Sequence, residues 1–310
     1  MTDILISTSS FGKADAGPLA ALESAGVHYE LNPHGRQLTE VEVTQMLAGK
    51  CGIIAGTEPL TRAVMEANPQ LKVISRVGAG LDNVDRDAAA ELGIVVCNTP
   101  MGPALAVAEL TLALVIDVLR GISWADRRIR SGVWRKEMGN LLTGKTVGIV
   151  GFGNVGRTFA SLLPPFHCSV LVYDPFVDCS KLDSASGEVA CTTLDDLLAA
   201  SDVVSVHCVL CEETKDLLGR ERIGLMKPGA VLVNTTRGGI VDEEALADAL
   251  AEGRLTGAAL DVFGREPYDG PLCERDNVVL TPHVGSYASE ARQRMEHDAV
   301  ANLLVALGLA

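Results

Sequence analysis

The chain is poor in positive charge. Its 310 residues carry 26 Lys and Arg against 40 Asp and Glu, a formal net charge of -14. A nucleic-acid binder needs a basic face that replaces counterions, so no nucleic-acid partner is expected. A small anionic ligand stays open, because a local basic pocket fits on an acidic protein. The sequence also lacks any run of the ~18 consecutive apolar residues that a membrane-spanning helix needs. Its first residues, MTDILISTSSFGKADAG, hold an early acid and no basic stretch before a long apolar core. They do not read as a secretory leader. No short-period repeat and no low-complexity tract is present. What is there is 47% hydrophobic and 21% charged residues, which suits a substantial core and about two domains of ~150 residues. The expectation is a cytoplasmic protein with no membrane partner. Its eight cysteines, at 51, 97, 168, 179, 191, 208, 211 and 273, are expected to stay reduced.

Short apolar runs rich in Val and Ile recur along the first hundred residues: ILIS (4–7), CGIIAG (51–56), LKVIS (71–75) and GIVVCN (93–98). Helical stretches at 18–24, 60–67 and 84–92 separate them. A long apolar helix follows at 104–120, then a polar, Trp-containing stretch, WADRRIRSGVWRKEMGN. The alternation restarts at TVGIVGFGNVG (146–156) and runs on through SVLVYD, SDVVSVH, AVLVNTT, GAALDVF and NVVLTPH, before a last helix at 288–309. Alternating strands and helices imply parallel sheets wrapped by helices. The expected fold class is therefore α/β, with two doubly wound parallel-sheet domains of Rossmann-like or flavodoxin-like type. Spacing does not decide whether the last helix returns to the first domain.

GFGNVG, from Gly151 to Gly156, is a G-x-G-x-x-G between a strand-like run and a helix-like one. That context is what the motif requires. Gly151 permits the tight turn, Gly153 lets backbone approach a pyrophosphate, and Gly156 allows close helix–strand packing. Asp174 ends the next strand, 18 positions after Gly156. A carboxylate there accepts from ribose hydroxyls and repels a 2′-phosphate, which favours NAD over NADP.

Three further groups end strand-like runs: Arg237 after AVLVNTT, Glu266 after ALDVF, and His283 at the end of VVLTPH. Hydride transfer to or from an alcohol carbon needs a group that takes or gives the hydroxyl proton, and an imidazole suits that role. A neighbouring carboxylate favours the imidazolium and fixes the ring tautomer. Arginine clamps a carboxylate with two prongs. Taken singly, a strand-end His is a structural or exposed residue and a Glu-Pro is a solvated turn. Their joint appearance beside a dinucleotide turn points to oxidation of a 2-hydroxy acid. Cys208 and Cys211 form a C-x-x-C next to His207. Four local ligands are missing, so no metal is expected.

These segments resemble the D-isomer-specific 2-hydroxyacid dehydrogenase family. The resemblance rests on VGAGLDNVD (77–85), AVAELTLALVIDVLR (106–120), GKTVGIVGFGNVGR (144–157), NTTRGGIVDEEAL (234–246), ALDVFGREP (259–267) and TPHVGSYASEARQRM (281–295). It implies an oxidoreductase with Arg237, Glu266 and His283 as catalytic set. It implies NAD contacts from Asn154, Val155, Asp174, Cys208, Thr235 and Gly285, with Asp261 on the nicotinamide amide. Ala79 and Gly80 are implied to meet the substrate carboxylate. It further implies a discontinuous substrate domain (1–99 with 286–310), an NAD-binding domain (100–285), an active-site cleft between them, and a homodimer built through the arm at 104–138.

Within the family the likeness is to members acting on 3-phosphoglycerate, carried by ISRVGAGLDNVD and RSGVWRKEMGNLLTGKTVGIVGFG. Arg76, Arg135 and Lys136 are then candidates for a phosphate. Against this, such members often carry an arginine just after the strand matching CGIIAG, where this chain reads Gly56-Thr57-Glu58. The chain also ends at Ala310, so serine feedback through an extra C-terminal domain is not expected. Hydroxypyruvate or glyoxylate reduction and sulfolactate oxidation stay open as alternatives. An NAD-sensing corepressor is the alternative from another class. Glu266 stands where formate dehydrogenases resembling this chain have Gln.

Overall fold

A computed structural model describes residues 2–178 and 189–310. They form two compact units, one of Met1–Pro103 with Ser286–Ala310, the other Ala104–Gly285.

The first unit contains β1 (Thr2–Ile6), α1 (Gly17–Ser24), β2 (Val27–Leu31), α2 (Glu40–Met46), β3 (Gly52–Ala55), α3 (Arg62–Glu66), β4 (Val73–Arg76), α4 (Arg86–Glu91) and β5 (Val95–Cys97). Its sheet has the order β2-β1-β3-β4-β5, and every pairing is parallel. β3 and β4 are buried at each position, as strands covered on both faces are, so they read as continuous apolar runs. Successive side chains point to opposite faces. Leu5, Ile53 and Ile74 face Val43, Val64 and Ala88 of three helices. Ile4, Ile6, Ile54 and Val73 face the other way. Thr39, Thr61 and Asp85 cap α2, α3 and α4 by accepting from backbone N–H groups, which fixes where each helix starts.

The second unit begins with α5 (Ala104–Arg120) and α6 (Ile122–Arg130). Then come β6 (Thr146–Val150), α7 (Asn154–Ser161), β7 (Ser169–Tyr173), β8 (Val189–Cys191), α8 (Leu194–Ala200), β9 (Val203–Val206), α9 (Arg220–Leu225), β10 (Val231–Asn234), α10 (Glu243–Ala251), β11 (Gly257–Leu260) and β12 (Val278–Leu280). The sheet order is β12-β11-β10-β9-β6-β7-β8. The chain leaves β6 towards β7 and β8 and returns on the other side at β9. That reversal is the switch point at which open α/β sheets take ligands. The last helix, α11 (Ser289–Ala306), belongs to the first unit and lays Met295, Ala299 and Leu303 on the face that holds Ile4 and Ile54.

One helix sits where the sequence shows only a polar stretch. α6 buries none of its residues, and the charged residues between Ile122, Ala125 and Ile129 make it read as polar. The pair Arg130 Nε to Asp126 Oδ2 at 2.7 Å supports it at (i, i+4) spacing. The expectation of reduced cysteines is corrected at one position. Cys191, at the end of the edge strand β8, is disulfide-bonded, while Cys51, Cys97, Cys168, Cys208, Cys211 and Cys273 are free. Composition speaks to compartment and not to which thiols a fold brings within bonding distance. Cys179 lies outside the described residues. Among the described residues no helix is long and apolar enough to cross a membrane.

Candidate active site

The second unit gathers its polar strand ends on one edge, beginning at the glycine turn. Gly151 has φ +95, and a Cβ there would lie 2.4 Å from the Cys208 nitrogen. A Cβ on Gly156 would lie 2.3 Å from the Gly151 carbonyl oxygen. Both positions therefore require glycine. Gly153 differs, since a Cβ there would meet nothing within 4 Å. Its side of the turn is open. Gly153 also starts α7 without a capping side chain, whereas α8 and α10 are capped by Thr193 and Asp242. The first N–H groups of α7, at exposed Asn154 and half-buried Val155, are left for an anion such as a pyrophosphate. Asp174 Oδ2 accepts from Phe152 N at 2.7 Å and Oδ1 from Phe176 N at 2.9 Å. The carboxylate is thus tied to the turn, with lone pairs left for ribose hydroxyls. These features fit a dinucleotide.

His207 and Cys208 follow β9. Burial lowers the His207 imidazole to about 3, and its Nε2 lies 2.8 Å from Ser205 Oγ. Burial pushes the Cys208 thiol up to about 11. A protonated thiol is a poor metal ligand and a poor redox nucleophile at neutral pH. Among the described residues no group of three or more His, Cys, Asp or Glu could hold a metal ion.

Arg237 sits on a loop shaped by Asn234, which sequence reasoning did not single out, and by Gly238, one of the two glycines that follow the arginine. Buried Asn234 donates from Nδ2 to the Arg237 carbonyl at 2.9 Å, and its Oδ1 accepts from Thr236 N at 3.1 Å. A Cβ on Gly238 would lie 1.9 Å from the Phe263 carbonyl carbon. Only glycine lets this loop lie against the Phe263–Glu266 segment, and that approach brings the Arg237 charge within reach of Glu266. Thr235, expected at the cofactor, is buried with its hydroxyl 2.9 Å from that of Thr111 on α5.

His283 Nδ1 lies 2.9 Å from Glu266 Oε2. An ionised carboxylate only accepts, so Nδ1 carries the hydrogen and Nε2 is the nitrogen left to act. Glu266 Oε1 accepts from Phe263 N at 3.1 Å. Burial raises the Glu266 pKa, but the His283 bond and charge, the Phe263 N–H and Arg237 outweigh it and bring the carboxyl below its ordinary value. A lowered carboxyl pKa means the pair's contribution is present above the unfolded value and is lost as pH falls through the folded one. Both side chains are about a third exposed, so solvent moderates its strength.

His283 has φ +55, a left-handed conformation that costs a non-glycine residue roughly 1–2 kcal/mol. Asp261, fully buried at the end of β11, holds it there. Its Oδ1 accepts from Thr281 Oγ1 at 2.6 Å and Val284 N at 2.8 Å, and its Oδ2 from Gly285 N at 2.7 Å. Thr281 was missed from the sequence, although its place two residues before His283 was the available signal.

In the first unit, Ala79 and Gly80 follow β4 on a pinned loop. Gly78 N donates to Thr99 Oγ1 at 2.8 Å and Asn98 Nδ2 to the Ala79 carbonyl at 2.7 Å. Arg76 was a candidate for a phosphate. It is 7% exposed, and its Nη1 donates to the Val77 carbonyl at 2.8 Å. The guanidinium folds back into the space that a Cβ on Gly78 would fill. Arg135, another candidate, pairs with Glu137 at 2.5 Å in the exposed arm of the second unit, next to exposed Lys136.

Residues 112–285 match the family described as D-isomer specific 2-hydroxyacid dehydrogenase, NAD binding domain. The chain is 41% identical to D-3-phosphoglycerate dehydrogenase of Mycobacterium leprae over 79% of its own length and 46% of that protein's. It thus spans about half the length of such curated relatives. It is 44% identical to glyoxylate reductase of Thermofilum pendens, over 81% of this chain and 76% of that one. Among solved structures, the TT0316 protein from Thermus thermophilus matches at a TM-score of 0.90 and 37% identity, over 99% of this chain and 97% of that one.

Proposed function

Because this chain belongs to the D-isomer specific 2-hydroxyacid dehydrogenase family, we propose that it interconverts a D-2-hydroxy acid and its 2-oxo acid with NAD. The observation that carries this reading is the His283–Glu266 bond beside Arg237, on the edge where the glycine turn opens. The bound nicotinamide supplies the hydride chemistry. Arg237 clamps the substrate carboxylate in bidentate fashion. In oxidation His283 takes the hydroxyl proton at Nε2, and in reduction it returns that proton to the carbonyl oxygen. Glu266 keeps the ring in the Nδ1–H tautomer. Asp174 accepts from the adenosine ribose and disfavours a 2′-phosphate.

The test is NADH consumption at neutral pH with a series of short 2-oxo acids, NADPH running in parallel. Turnover with NADH clearly ahead of NADPH is expected. A chain that binds NADH yet reduces no 2-oxo acid would instead be an NAD-sensing binding protein. Glu266→Gln is expected to lower kcat for 2-oxo acid reduction by about tenfold or more, since the ring loses the acceptor that fixes its tautomer. Equal rates for the two proteins would remove that role for Glu266.

We also propose a homodimer through the arm. Ile122, Ile129, Trp134, Met138 and Leu141 are large, apolar and exposed there, and so many together mark an interaction surface. A monomer mass in sedimentation equilibrium would rule it out.

A further inference from the structure

Arg237 and Glu266 stand on separate loops of the second unit, one after β10 and one after β11. The Arg237 charge reaches Glu266, so the spacing of the two loops matters to the site. Glycine contact sets part of that spacing. Gly238 lies against the Phe263 carbonyl, and a Cβ on Gly264 would be 4.0 Å from Gly239 N. Glycine also has the greatest backbone freedom of any residue, so this contact alone leaves the second loop loose. From Gly264 to Pro267 the chain is exposed, and no strand or helix includes it.

One side chain reaches across. Glu243 is the first residue of α10, next to the capping Asp242, and it is half-buried. Its Oε1 accepts from Gly264 N at 2.7 Å. The preceding amide, Phe263 N, donates to Glu266 Oε1 at 3.1 Å. Neighbouring amides of one loop are thus held by two carboxyl groups, and Glu266 in turn holds the His283 ring at 2.9 Å. α10 follows the Arg237 loop in the chain. Glu243 therefore ties the loop of Glu266 to the stretch that carries the arginine clamp.

An acid in the first turn of a helix has an ordinary explanation, since it faces the positive end of the helix dipole. Exposed Glu244, in the same turn, fits that account. Glu243 is placed differently. Burial raises its carboxyl pKa, the Gly264 N–H works against that rise, and the charges of Asp242, Glu244 and Glu266 add to it. A charge set among like charges gains little there, and a neutral acceptor of the same length would serve the bond as well. Resting on the 2-hydroxyacid dehydrogenase reading above, we infer that Glu243 is a positioning residue of the reaction. Through Gly264 N it holds the loop on which Glu266 meets His283, and it acts through Glu266, not on the substrate.

The test uses the full chain and separates reach from charge. Glu243→Gln keeps the length and an accepting oxygen but loses the charge. Glu243→Asp keeps the charge and withdraws the oxygen by one methylene. Both leave a residue that the first turn of a helix tolerates. In 2-oxo acid reduction at saturating NADH, Glu243→Gln is expected within about threefold of the wild-type kcat and Glu243→Asp about tenfold or more below it, as for a misplaced catalytic group. The KM for NADH should hold in both, because β10 and β9 stand between β11 and the strand of the glycine turn. In a Glu266→Ala background Glu243→Asp should cost nothing further, since residues acting through one another are not additive. Backbone hydrogen exchange at Gly264 needs no turnover, and is expected about tenfold faster in Glu243→Asp and unchanged in Glu243→Gln. The opposite order, with Asp active and Gln slow, would assign Glu243 to the helix dipole and overturn the inference. So would an undiminished loss in the Glu266→Ala background. A wild type that reduces no 2-oxo acid with NADH would sink the dehydrogenase reading instead, and exchange at Gly264 would then decide alone whether Glu243 holds the loop.

Discussion

His283→Ala lowers kcat/KM for 2-oxo acid reduction by about 10²- to 10⁴-fold, the usual worth of a positioned general acid, while NADH still binds. The separation follows from where the parts sit. The glycine turn and Asp174 lie at β6 and β7, whereas His283 follows β12 at the opposite end of the sheet order. Its Nδ1 bond to Glu266 leaves Nε2 as the nitrogen that moves the proton. Stopped-flow or steady-state rates give the loss, and quenching of protein fluorescence by NADH gives the binding. Turnover within about threefold of wild type would be incompatible with general acid catalysis by this imidazole.

Asp261→Asn is expected to cost both stability and rate. The carboxylate accepts three hydrogen bonds in a fully buried place. An amide keeps one oxygen and turns an N–H towards a group that must itself donate. The Thr281 hydroxyl can rotate to accept, but the backbone N–H of Val284 or Gly285 cannot. One buried donor left unmet costs about 1–3 kcal/mol. Burial raises the Asp261 pKa, while its three donors and the His283 charge favour the ionised form. The substitution therefore removes a negative charge near the imidazole as well as a backbone anchor. Thermal unfolding should show a lower midpoint. The rate should fall further than NADH affinity, because the strained loop that carries His283 loses its hold. An unchanged midpoint together with an unchanged rate would contradict this account.

Much of this was legible in the sequence because parallel strands covered on both faces leave unbroken Val and Ile runs. AVLVNTT and TVGIV read as strands for that reason, and their ends carry Arg237 and the glycine turn. The glycines were legible through geometry, since Gly151 and Gly156 stand where a Cβ would strike backbone. What stayed hidden depends on side-chain direction. The acid at Glu58 was visible, but its inward turn onto Ser7 was not, because a turn residue's rotamer leaves no periodic trace. Arg76 reads as an available cation in the sequence, yet its guanidinium lies over Gly78. Asn234 and Thr281 matter through single hydrogen bonds to neighbours in the chain, a role no spacing rule announces. α6 escaped because its apolar side, Ile122, Ala125 and Ile129, is narrow and the charged residues between them make the stretch read as polar.

The placement of α11 has a consequence for biosynthesis. Ile4, Ile6, Ile54 and Val73 are covered by side chains near residue 300. A ribosome delivers residues at about 5–20 per second, so these strands wait for most of the chain before their cover emerges. The sheet made first is the one completed last, and its nascent form shows an apolar strip of the kind chaperones hold. Residues 104–285 draw their core from within themselves and have no such wait. Completion of the first sheet is then tied to the arrival of α11, a contact far along the chain.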